Sequence, residues 1–140
     1  MGNTNPARLW LTAAVLLHLI VSIVHGAAHA GAHVPLSSAA NLFVFTVILA
    51  GPLVGLALTL LPGLTGPVER IGSWLIAITM AGSLVFGIVN HFVFAGPDHV
   101  AYVARQWRAL FTTTAVLLAL TEALGAGLAI RLARGRKKAS

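Results

Sequence analysis

Residues 8–30 read RLWLTAAVLLHLIVSIVHGAAHA. After Arg8 the run contains no Asp, Glu, Lys or Arg. An α-helix rises about 1.5 Å per residue, so about 20 apolar residues cross the hydrocarbon layer of a bilayer. This stretch is long enough to do so. Three further runs of the same kind follow, and the four spans are read at roughly 8–30, 40–62, 70–94 and 107–131. Pro35, the pair Pro62-Gly63 with Gly66-Pro67, and the pair Gly96-Pro97 break the chain between them. The expected fold is all-α: one domain over residues 1–140, an integral membrane bundle of four transmembrane helices. The first span differs from a secretory signal in lacking a strongly basic leader and in carrying histidines within its apolar stretch, so it is read as a mature helix.

Composition supports this fold class and narrows the chemistry. The chain is 58% hydrophobic and 9% charged, with mean hydropathy +0.92. Soluble domains carry about 25% charged residues; here lipid, not water, has to cover the surface. There is no cysteine, which removes disulfides, thiolate metal sites and covalent haem attachment. With Met1 and Met80 as the two methionines, a thioether copper(I) site is not expected. The formal charge of +6 does not point to nucleic acid. Five of the nine basic residues sit in the tail, at Arg131, Arg134, Arg136, Lys137 and Lys138, where a basic segment after an apolar run anchors a helix on the cytoplasmic side. Four spans put both termini on one side, together with Arg8 and Arg70, while Arg105 and Arg108 fall on the other. The positive-inside rule then gives a multi-pass protein of the plasma (bacterial inner) membrane with both termini cytoplasmic. Trp10, Trp74 and Trp107 stand near span ends, as interfacial anchors do.

Helix contacts in lipid rely on small residues. Gly51 to Gly55, Gly82 to Gly87 and Gly125 to Gly127 are read as packing surfaces, and Pro52 as a kink in the second helix.

Six histidines in so apolar a chain need a reason. At about 100° per residue, His25 and His29 lie about 20° to either side of His18, and Ser22 about 40° away. One face of the first helix therefore carries His18, Ser22, His25, His29 and, at its end, His33. A stripe this narrow is expected to face the bundle interior or a wet cavity. His25 and His29 stand four residues apart, one turn, so both imidazoles can reach a single ion. Taken alone the pair equally suits interhelical hydrogen bonding. Depth adds weight to the ligand reading: His29 lies about 31 Å above Arg8, and His91 about 31 Å above Arg70. The segment Asn90-His91-Phe92-Val93-Phe94-Ala95-Gly96-Pro97-Asp98-His99 then adds a carboxylate and another imidazole. His25, His29, His91 and His99, with Asp98 beside them, form the donor set that zinc, iron or copper(II) favours. Asp98 can ligate, orient a histidine, or cap a short helix over 99–105.

Glu122 lies inside the fourth span, where an ionised carboxylate is costly. Counted from Arg131 it is about 13 Å from the cytoplasmic side, and His18 about 15 Å. The two are expected to meet as a buried polar pair, serving either register or proton movement, with Thr121 and Ser83 extending a polar path. Arg108 is about 21 Å from Glu122 along the helix and is out of its reach.

The function expected is that of a small membrane metalloprotein with a histidine-rich site near the outer face. The same residues suit a second reading, b-type haem held between His25 or His29 and His91 for electron transfer or quinone chemistry. A membrane enzyme or carrier acting on a lipid or quinone, and an accessory subunit of a larger complex, are further alternatives. Besides the bilayer, a homo-oligomer or a larger membrane complex stays open as partner; nucleic acid is not expected. No phosphate-binding GxxxxGK[ST] loop, HExxH motif or nucleophile elbow occurs. In its four-span size the chain resembles several small membrane families, glutathione-linked membrane enzymes among them, but their arginine-rich motif on the second helix is absent.

Overall fold

The computed structural model describes residues 6–61 and 66–135. Arg136, Lys137 and Lys138 of the basic tail, and the Pro62-Gly63 breaker, lie outside them. The described chain forms four helices, each long and apolar enough to cross a membrane: α1 (Pro6–Gly31), α2 (Ser38–Leu60), α3 (Gly66–Val93) and α4 (Arg105–Gly135). They alternate in direction. α4 packs against both α1 and α3, and α2 packs on the far side of α3, so α1 and α2 touch only sparsely.

Helix ends follow local chemistry. α1 closes with the amide of Val34 bonded to His29 O and that of His33 bonded to Ala30 O. His33 takes the left-handed conformation this closure needs, with φ 54°. It therefore ends the helix and does not continue the histidine stripe. The Ser37 side chain accepts the Ala40 amide and starts α2. Within α2, Val44–Ala50 forms a π-turn directly before Pro52. Pro52 has no N–H to offer Ile48 O, the carbonyl four residues back, and a side chain from α1 bonds that carbonyl instead (below).

Two halves of α2 behave differently. Toward the end of the bundle where α1 begins, Gly55 and Gly72 let α2 and α3 approach so closely that a Cβ on Gly55 would stand 2.8 Å from Gly72 O. Gly51 fits against Thr79 in the same way, and Gly125 of α4 against Met80. Gly82, Gly87 and Gly127 make no such close approach; the stretch 82–87 meets α2 by ordinary contact, with Phe86 stacked on Phe43 and Gly82 facing Val47, and the closest backbone approach is at Gly72, which was not among the expected segments. Five residues of Gly51–Leu60 are buried. In the other half, Ser38–Ala50, none is.

The core lies in the first of these halves, around Leu11, Val15, Ile76, Met80 and Ala129. There the Arg8 guanidinium grips Glu69 with Nη2 2.6 Å from Oε2 and Nε 2.9 Å from Oε1. A smaller cluster of Ala28, Val103 and Phe111 closes the other end, with Val34 and Trp107 against it. Large apolar side chains such as Ile23, Phe45, Ile78, Val85 and Leu120 point outward, a surface suited to lipid.

Candidate metal centre

α1 and α3 run parallel with their starts pinned by Arg8 and Glu69, and His25 and His91 meet near their far ends. Their Nε2 atoms are 3.2 Å apart. His29, one turn further along α1, completes a group of three buried or nearly buried imidazoles whose ligand nitrogens all lie within 4.8 Å of one another. The rings gather on Phe111, fully buried on α4, with centroid separations of 4.7 Å to His25 and His29 and 5.2 Å to His91.

His91 Nδ1–H donates to the carbonyl Asp98 O at 3.0 Å, so His91 Nε2 carries a lone pair, and it faces His25 Nε2 at 3.2 Å. The Thr114 hydroxyl lies 2.8 Å from Leu110 O and 2.8 Å from His25 Nδ1, and its single hydrogen serves one or the other. When it goes to His25 Nδ1, His25 Nε2–H donates to His91 Nε2. When it goes to Leu110 O, His25 Nδ1–H donates to Thr114, both Nε2 atoms carry lone pairs, and a proton or a cation can lie between them. In the third ring, His29 Nδ1 is buried and has no hydrogen-bond partner among the described residues.

Asp98 lies behind this group. Its Oδ1 is 3.2 Å from His29 Nε2 and 3.2 Å from His91 Nδ1. Neither approach has hydrogen-bond geometry, so the contacts are chiefly electrostatic. Burial pushes the carboxyl up, but its contact with the His91 N–H and its Coulomb attraction to His91, His29 and His25 outweigh burial, and the group sits below the usual carboxylate value. The loop carrying Asp98 is tied down by the Val100 amide, which donates to His91 O at 3.0 Å. Residues 97–103 form turns, not the short helix that would have made Asp98 a cap.

The structure does not bring His99 into the group. Its Nδ1 accepts the Ala101 amide at 3.1 Å and its ring leans on Tyr102. Asn90 likewise turns back to Phe86 O on its own helix. Thr114 and Phe111 were not singled out from the sequence, although their spacing of three puts them on one face of α4.

Deeper in the bundle, His18 Nδ1 and Glu122 Oε1 come within 3.9 Å, both residues buried. The expected juxtaposition is there, but a direct hydrogen bond is not. His18 uses Nε2–H to donate to Ile48 O at 3.1 Å, the carbonyl that Pro52 leaves without a donor. Its Nδ1 has no partner. The Ser83 and Thr121 hydroxyls bond carbonyls of their own helices.

A cavity of about 400 Å³ joins the two levels. His25, His29, His91 and Asp98 line one end, Glu122 and Ser83 the other, with Ile48, Phe86 and Leu118 among the apolar walls between. No protein-family model matches the chain, and neither does any curated protein or solved structure.

Proposed function

We propose that this chain is a multi-pass membrane metalloprotein, with a transition-metal ion held by His25, His29 and His91 near the outer face of the plasma membrane and both termini cytoplasmic. The observation that carries the reading is the convergence of three imidazoles, with the Nε2 atoms of His25 and His91 facing each other. Ligand nitrogens about 2.0–2.1 Å from a tetrahedral zinc ion stand roughly 3.3 Å apart, against 3.2 Å here. The ligand nitrogens of the three rings lie within 4.8 Å of one another, so drawing His29 in to tetrahedral spacing needs a side-chain movement of no more than about 1.5 Å. A divalent ion would also balance the buried Asp98 carboxylate.

Asp98 and Thr114 serve as the partners that orient ligating imidazoles. Three protein nitrogens with a fourth position open toward a cavity is the pattern of catalytic zinc, whereas structural zinc closes all four positions. Phe111 blocks one side of the rings, so the open position is on the cavity side. His99 is left out of the ligand set because its ring nitrogen is engaged elsewhere. The haem b reading draws no support from this geometry, since axial ligands must face each other across a flat macrocycle and these nitrogens converge on one point.

The test is elemental analysis and a visible spectrum of protein purified in lipid nanodiscs and offered zinc, iron and copper in turn. One ion per chain is expected, lost in His91→Ala. Failure to retain any ion at unit stoichiometry sinks the proposal, and a Soret band from the purified protein replaces it with haem.

A further inference from the structure

From the shape and position of the cavity we infer that the site receives its ligand sideways from the lipid phase: a slim apolar molecule with one oxygen-bearing end group, entering between α1 and α2. The inference rests on the metal reading only for what that end group meets.

The mouth of the cavity is identified by residues that both line it and face outward. On α1 these include Ile23, 70% exposed, and Gly26; on α2, Phe45, 65% exposed. Ile23 is eight residues, about 12 Å, short of the α1 terminus, so this mouth opens within the span. The cavity also extends to the loop end, where Val34, Leu36 and the exposed Asn41 line it; a water-soluble substrate could use only that end. The opening follows from the unequal packing of α2: glycine contacts hold Gly51–Leu60 against α3, while Ser38–Ala50 has no fully buried residue and touches α1 only sparsely, through the His18 bond to Ile48 O among other contacts.

The interior selects the ligand. Ile48, Leu49, Phe86 and Leu118 give apolar walls that suit a hydrocarbon body. Polar donors and acceptors are gathered at the ends, so a molecule polar along its length would leave groups unpaired. At the far end the three imidazoles and Asp98 offer an ion, or the imidazoles themselves, to a single oxygen. The volume, about 400 Å³, falls in the ordinary range for small-molecule sites, about 300–1,000 Å³, and so suits a single slim chain.

The test uses a twelve-carbon fatty alcohol bearing a mid-chain diazirine, in phosphatidylcholine vesicles with the full chain, chelator present, followed by illumination and mass-spectrometric mapping. Adducts are expected on Leu49 or Leu118. Gly26→Phe should reduce them at least tenfold, because a side chain there has no protein atom within 4 Å and projects into the mouth. Phe45→Ala, which widens the same mouth, should increase them. Adducts on Ile78, which faces outward from α3, should not change in either variant. Labelling confined to outward faces, or cavity labelling indifferent to both substitutions, overturns lateral entry. Because the ion is chelated, a protein that binds no metal can still pass this test, and one that binds metal can still fail it.

Discussion

Arg8 and Glu69 form a two-pronged ion pair at the opposite end of the bundle from His29 and His91, and it sets the relative height of those two imidazoles. From Arg8 to His29 is 21 residues and from Glu69 to His91 is 22, about 32 and 33 Å of helix. Two parallel helices fixed at one end must then bring these imidazoles to the same height. Glu69 is nearly inaccessible while Arg8 is partly exposed, so removing the arginine takes the ion-pair partner from a buried carboxylate. Arg8→Ala is expected to lower stability by about 2 kcal/mol, read as a drop in unfolding midpoint in detergent. It should also weaken metal retention, though it touches no ligand.

Thr114→Val removes the hydrogen-bond partner of His25 Nδ1 while keeping the shape of the side chain. The ring is then free to turn or to change tautomer. Loss of such a partner costs about 10–100-fold in metal affinity, measurable by competition with a chromogenic chelator. Thr114→Ser should restore most of it.

Asp98 gives a pH dependence of definite sign. Its carboxyl is held below its ordinary value of 3.8, so its contribution to stability is complete above about pH 4 and is lost as pH falls through the depressed folded value. In thermal melts of the metal-free protein from pH 7 to pH 2, Asp98→Asn should flatten the acid limb. An acid limb identical to that of the wild type would remove Asp98 from the account.

His18 can be separated from the metal site. His18→Leu removes the side-chain donor to the part-buried Ile48 O, at a cost of about 1 kcal/mol. In a Pro52→Ala background the backbone regains a donor near that carbonyl, and the same substitution should cost less. A double-mutant cycle reads the difference directly. Simple additivity would mean that His18 is not there to replace the missing proline N–H.

The four helices were legible because hydrophobic length is a strong signal, and depth counting put His25, His29 and His91 together because helical rise is nearly constant. Counting fails where the chain is not helical. His99 is eight residues beyond His91, but the turns between them point its ring at Tyr102. His33 fits the stripe by angle, yet α1 ends before it. Glu69 was overlooked beside Arg70 because a carboxylate at a span end reads as a surface charge until its partner on another helix is known. Thr114 and Phe111 look like ordinary span residues. Their roles follow from which face of α4 meets α1, and a single sequence does not record that.

The unequal packing of α2 has a mechanical consequence. The glycine contacts near Gly55 act as a fulcrum, and Ser38–Ala50 is the free arm of a lever. That arm has no fully buried side chain, and what holds it in place includes the stacking of Phe43 on Phe86 and the bond from His18 to Ile48 O. The entrance can widen or narrow by bending at the π-turn before Pro52 while the imidazoles, held by Thr114, the Asp98 loop and Phe111 on the other three sides, stay in place.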